Sequence, residues 1–215
     1  MHLRQRWNTL WGHHYIERTF FEWYETLAQF YNGRPYFHLG YIARLLYEFD
    51  SIQRHVFLAR KESFEDVEKA LWFREIYRYP RRRDNEEQSA QFADMLMRFM
   101  HQPNMARERV MSLIIATKHA HMQFAPDHQL ICDLDLVKFA RSADEYDRML
   151  YSIRKENKHL IDLHYAGRRL YDLESLTRRE HLYYLPIFKE RYEAQARANI
   201  EREMALWERV LRNQT

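Results

Sequence analysis

Apolar residues recur every three or four positions along almost the whole chain, a spacing that fits helices and not strands, where the repeat would be two. Ile16, Phe20, Trp23, Tyr24, Leu27 and Tyr31 form one such stripe, and Ile42, Leu45, Leu46, Phe49 and Ile52 form the next. A third helix begins near Ser63, with Glu65 and Asp66 in its first turn, where acid suits the helix dipole, and it turns Val67, Ala70 and Leu71 inward before running into Arg74-Glu75. Further helices are predicted over about 86–101, 106–121, 134–141, 143–157, 158–172 and 174–184. The last, over roughly 187–212, is long and carries the stripe Ile187, Tyr192, Ala196, Ile200, Met204, Trp207 and Leu211. Strands have no strong candidate; the segment from Leu130 to Leu136 reads equally as a buried helix start.

The punctuation agrees. Only 4 Gly and 5 Pro occur in 215 residues, too few for a sandwich with many tight turns. Asn32-Gly33-Arg34-Pro35 is a turn, and Tyr79-Pro80 breaks the third helix before a polar loop from Arg81 to Asp84. Asp84 is expected to cap the next helix, with Glu87 three residues on completing a capping box. With 30% charged and 15% aromatic residues, the expectation is amphipathic helices over an aromatic core. One all-α domain over 1–215 follows, a helical bundle with a long C-terminal helix and residues 1–30 as a helical extension packed on it.

Location and partners are only loosely bounded. No segment approaches the ~20 uninterrupted apolar residues of a membrane helix, and the first residues lack the apolar run of a secretion signal. A single cysteine, Cys132, cannot form an internal disulfide and reads as buried and inert, so a cytoplasmic location is expected. A net charge of +3 is too mild to indicate nucleic-acid binding by itself. Arg78, Arg81, Arg82 and Arg83, with Tyr77 and Tyr79 interleaved, could contact a phosphate backbone, but Asp84, Glu86 and Glu87 dilute that field and a solvated loop is the better reading. No Walker sequence, Ser-His-Asp signature or paired-Cys zinc motif is apparent.

An ordered set of short motifs carries more. Arg34-Pro35-Tyr36-Phe37-His38-Leu39-Gly40-Tyr41 precedes a helix. Trp72-Phe73-Arg74-Glu75, Tyr77, and Asn85-Glu86 with Ser89-Ala90 follow. Then come Thr117 and His121, Asp133-Leu134-Asp135-Leu136, Ile153-Arg154, Gly167-Arg168 and Ala196-Arg197-Ala198-Asn199. From about Tyr31 to Glu203 this order resembles a bacterial family of HD-domain metal-dependent phosphohydrolases.

The resemblance implies an HD-like helical fold and a metal held by a His, a His-Asp pair and a distant Asp. In that family Arg-x-Tyr-His precedes a helix, with a second His four residues later; here those positions hold Phe37 and Tyr41. His38 is displaced by one residue, a rotation of about 100° on a helix. The His-Asp pair is replaced by Arg74-Glu75, and only the distant Asp survives, as Asp135 in preference to Asp133.

These replacements oppose metal binding. A divalent ion needs imidazole or carboxylate donors converging at roughly 2 Å, whereas phenylalanine offers none and a guanidinium is permanently cationic and only donates. The expectation is that Arg74 is a surrogate for the metal, its charge answered by Glu75 with Asp133 or Asp135. Arg34, Tyr36, Asn85, Lys118, Arg154 and Arg168 match or adjoin motif positions that would line a pocket for a nucleotide or other phosphate-bearing ligand. The favoured reading is a catalytically silent binding or assembly module without a cofactor, in which a second copy of the chain is one candidate partner. The alternative is an active phosphohydrolase with a rewired site of His38, Glu75, His121 and Asp135 holding Mn, Fe, Co, Zn or Mg, with Asp135 and Glu75 carrying the chemistry.

Overall fold

The computed structural model describes residues 2–12, 17–58, 61–79 and 82–213; Ile16, Pro80 and Arg81 lie outside them. Every regular element among the described residues is helical. The chain forms two compact units, Met1–Ile131 and Cys132–Thr215.

The first unit contains α1 (Leu3–Trp11), α2 (Glu17–Tyr31), α3 (Leu39–Ile52), α4 (Lys61–Phe73), α5 (Asn85–Phe99), α6 (Asn104–Ala116) and the start of α7 (Pro126–Leu136). Its core is aromatic. The Trp7 ring lies 5.4 Å from Trp72 and 5.9 Å from Phe73, both edge-on, and all three side chains are fully buried. Each such ring contributes about 2–3 kcal/mol through burial alone. Arg6, on the same N-terminal helix, pairs with Asp50 of α3 at 2.6 Å and with Glu68 of α4 at 2.7 Å. The N-terminal helix therefore contributes to the core itself.

The second unit contains the rest of α7, α8 (Ala143–Glu156), α9 (Asp162–Thr177) and α10 (Pro186–Arg212). Tyr165, Ala166, Leu170 and Trp207 pack into one apolar cluster between α9 and α10. Beside it the buried Glu203 carboxylate accepts four hydrogen bonds: from the Tyr146 hydroxyl at 2.5 Å, from Arg169 at 2.6 and 3.0 Å, and from the Trp207 indole at 3.0 Å. Burial pushes this carboxyl up, yet the Arg169 charge and these donors hold it below the usual glutamate range.

Several helix ends depart from the sequence expectation. The helix expected over 134–141 is α7, which opens earlier on Pro126, where a missing N–H costs nothing, and ends at Leu136 before a 3-10 turn over Val137–Ala140. The helix expected to reach 121 stops at Ala116, and His119 takes a positive φ of 55°. The two helices expected over 158–184 are the single α9, with residues 178–185 non-helical. Glu193 accepts the backbone N–H of Leu182 at 3.0 Å, and Arg197 donates to the carbonyls of Arg179 and Glu180 at 3.0 and 2.8 Å, which holds that segment against α10. Asp84 makes no side-chain cap: its carboxylate is taken by Arg82 at 2.7 and 2.5 Å, while Glu87 pairs with Lys118. No helix among the described residues is long and apolar enough to cross a membrane.

Removing the hub of the second unit tests this account. Glu203→Ala leaves the Arg169 guanidinium without its counter-charge and should lower the unfolding free energy by about 3 kcal/mol, read from urea unfolding by circular dichroism. Wild-type stability in that variant would contradict the assignment.

Candidate functional site

The turn that follows α4 carries Arg74 and Glu75, and both are almost completely buried, at 5% and 3% exposure. A buried guanidinium must find acceptors, and two of them are Tyr41 and Glu75. One terminal nitrogen donates to the Tyr41 hydroxyl at 2.7 Å, and the other meets the first carboxylate oxygen of Glu75 at 3.0 Å. The second oxygen of Glu75 accepts from Arg78 at 3.0 Å. The Arg78 guanidinium lies 3.9 Å over the Phe37 ring, and Phe37 packs on Tyr41 at 5.1 Å and on Tyr36 at 4.7 Å.

The main chain of this turn is held from the opposite side. Arg34 donates to the carbonyls of Glu75 and, at 3.0 Å, Ile76, and its guanidinium lies over the Tyr31 ring. Tyr31 in turn donates to the carbonyl of Trp72 at 2.7 Å. The Trp72 carbonyl is in the last turn of α4, where such groups lack partners inside the helix, and those of Glu75 and Ile76 lie just past it. Burial raises the Glu86 carboxyl above the ordinary glutamate range, with Glu75 adding like charge and Arg78 and Arg74 acting in the opposite sense.

Phe37, Tyr41, Arg74 and Glu75, far apart in sequence, therefore converge on one buried place in the first unit. Arg74 and Glu75 stand where the resemblance would place the His-Asp pair, and Phe37 and Tyr41 where it would place two motif histidines. Their present chemistry is that of an ion-pair network: Phe37 has no donor, the Tyr41 oxygen accepts from Arg74, and each oxygen of Glu75 accepts from an arginine. Among the described residues no group of three or more His, Cys, Asp or Glu side chains is placed to hold a metal ion. The chain matches no known family, curated protein or solved structure.

Both aspartates of the surrogate expectation lie in the second unit. The Asp133 carboxylate accepts the backbone N–H groups of Tyr184 and Leu185, each at 2.8 Å, at the entry to α10. Burial pushes this carboxyl up to about 7, against the two amide donors, which favour its charged form. Asp135 pairs with Lys138 at 2.7 Å. Arg154 is engaged at the end of α8, donating to the carbonyls of Asn157 and Leu160 at 2.7 and 2.9 Å and to Asp162 at 2.6 Å. Arg168 is exposed, whereas its neighbour Arg169 reaches Glu203.

The remaining expected residues of the first unit are dispersed. His38 caps α3, its Nδ1 accepting from the amide of Gly40 at 2.9 Å. The Asn85 side chain accepts from the amide of Tyr79 at 2.8 Å and donates to its carbonyl at 3.0 Å, Lys118 pairs with Glu87, and His121 is exposed. In the basic loop Arg78 belongs to the buried cluster, Arg82 pairs with Asp84 and Arg83 is exposed.

One constellation escaped sequence reading. Ser112 on α6 lies 2.7 Å from Nε2 of His128, whose Nδ1 lies 2.9 Å from Asp127 on α7. Adjacent Asp127-His128 was the only local signal, because the serine is 16 residues upstream.

Two variants test these assignments. Arg74→Ala leaves Glu75 buried beside a lost counter-charge and should destabilise the protein by about 3 kcal/mol; an unchanged melting temperature would remove the basis for a buried ion-pair role. Asp133 binds a proton more readily folded, at about 7, than at its ordinary 3.8, so stability should fall as pH rises through this range. Asp133→Asn should be weaker at every pH but should flatten that slope in urea midpoints.

Proposed function

We propose that this chain is a diverged HD-like protein, silent toward phosphate esters, in which Arg74 stands where the family would place a divalent cation and the scaffold serves as a binding or assembly module. One observation carries the reading: the four motif positions Phe37, Tyr41, Arg74 and Glu75 come together, and they do so through an Arg–Glu–Arg network closed by a tyrosine. A guanidinium at the centre of a would-be metal site repels a cation and engages the carboxylate that would bind it. Losing donors outright is more severe than altering groups that merely support them, which already costs about 10–100-fold in affinity.

The ligand class consistent with this reading is a phosphate-bearing small molecule such as a nucleotide. Arg78 is the part-exposed cation of the cluster, with 36% of its side chain accessible, and its planar fork suits phosphate oxygens.

Metal content and phosphate release decide between this reading and an active phosphohydrolase. Tag-free protein incubated with Mn²⁺, Fe²⁺, Co²⁺, Zn²⁺ or Mg²⁺ and desalted should retain no stoichiometric metal by mass spectrometry. With any of these ions in excess it should release no phosphate from nucleoside monophosphates. Metal-dependent release that vanishes in Asp135→Ala would overturn the proposal.

A further inference from the structure

We propose that Ser112, His128 and Asp127 form a nucleophilic relay, separate from the Arg74 cluster, that takes up acyl groups from carboxylic esters. Its three side chains belong to the first unit, one on α6 and two at the start of α7. Ser112 is exposed on α6, and its Oγ lies 2.7 Å from Nε2 of His128. The other ring nitrogen of His128, Nδ1, lies 2.9 Å from Oδ1 of Asp127. That same carboxylate oxygen accepts the backbone N–H of His128 at 2.9 Å, which fixes the carboxylate relative to the ring.

A carboxylate at Nδ1 places the neutral ring's proton there and leaves the Nε2 lone pair facing the serine hydroxyl. This is the division of labour that activates a serine: nucleophile, base and a third group that orients the base. A bond that merely tied α6 to α7 would need Ser112 and His128 alone; the third group on the far nitrogen is what a relay adds. The hydrogen bond to His128 keeps the Asp127 carboxyl below the ordinary aspartate range, so it is charged when the ring needs it.

The surroundings narrow the substrate. Ile115, 40% exposed, lies one turn on from Ser112 along the same helix face. The segment joining α6 to α7 exposes Met122 and Phe124, at 71% and 82%. An exposed apolar side chain one turn from an accessible hydroxyl suits an ester with a short alkyl or aryl part. An ester is also the easier substrate than an amide, since an alkoxide or phenolate departs more readily than an amine.

The steps balance without a further reactant other than water. Ser112 Oγ bonds to the carbonyl carbon as its proton passes to His128 Nε2. The carbon–oxygen bond to the alcohol then breaks, and the alcohol leaves with that proton. Water, deprotonated by His128, attacks the acyl-serine, releasing the carboxylic acid and restoring Ser112.

The full chain treated with p-nitrophenyl acetate should release nitrophenolate and carry an acetyl group that peptide mapping places on Ser112. Ser112→Ala should lose that label, and His128→Asn should slow labelling by about 100-fold. Asp127 acts through His128, so its readout is the pH profile: Asp127→Asn should move the inflection of the labelling rate to lower pH, which loss of a helix tie alone would not do. Labelling spread over lysines and unchanged in Ser112→Ala would overturn the proposal, as would the absence of any Ser112 adduct with both this ester and an alkyl fluorophosphonate. Matching circular dichroism of the Ser112→Ala and wild-type proteins excludes misfolding as the reason for a lost label.

Discussion

Taking Arg74 out of water is tenable because partners such as Glu75 and Tyr41 meet its guanidinium on arrival. An unpaired buried charge costs several kcal/mol, and no realistic packing at the turn after α4 would offset that. The demand propagates outward. Glu75, once committed to Arg74 through one oxygen, turns its other oxygen to Arg78, and Arg78 settles over Phe37. The aromatic residues of the Arg34–Tyr41 segment are thus packed around a charge pair, which explains why that segment carries three buried rings, Tyr36, Phe37 and Tyr41.

The same logic recurs at several helix ends. Arg34, Arg154, Arg197 and Asn199 all donate to main-chain carbonyls, and Asp133 and Glu193 both accept main-chain amides. Helix termini leave such groups unsatisfied, and a fold made only of helices has many termini. Motif residues that stand out as polar and well placed therefore include several whose partners are the backbone. For Arg154 and Arg197, the ends of α8 and of the 178–185 segment account for the guanidinium without a ligand.

The helices themselves were legible because burial imposes a period that any sequence must display. Ile42, Leu45, Leu46, Phe49 and Ile52 fall on the buried face of α3 as their spacing requires. The ends were less legible because they are decided from a distance: Arg34 reaches 41 and 42 residues along the chain to finish the turn after α4. The Arg74–Glu75 pairing was readable from its motif, since adjacency and opposite charge already suggested it. Tyr41 as its second partner was not, because a tyrosine at a motif-histidine position reads only as a lost histidine until a donor is found beside its hydroxyl. Arg168 and Arg169 show the same limit. They are neighbours in sequence, but a helix turns one to solvent and the other to Glu203. Ser112 and His128 illustrate it most fully, since they are 16 residues apart and only the fold makes them neighbours.

The indole of Trp207, bonded to Glu203, has an optical corollary. Of the 5 tryptophans, Trp7, Trp11, Trp23 and Trp72 belong to Met1–Ile131, and Trp207 alone belongs to Cys132–Thr215. Its N–H rests on a carboxylate that is itself held by a guanidinium, so the emitting ring sits in a fixed local field. Any parting of α9 from α10 would let water reach that ring and alter its colour, while the other four rings, sharing none of these contacts, kept theirs. The C-terminal unit thus carries a single tryptophan, wired to its own central charge pair.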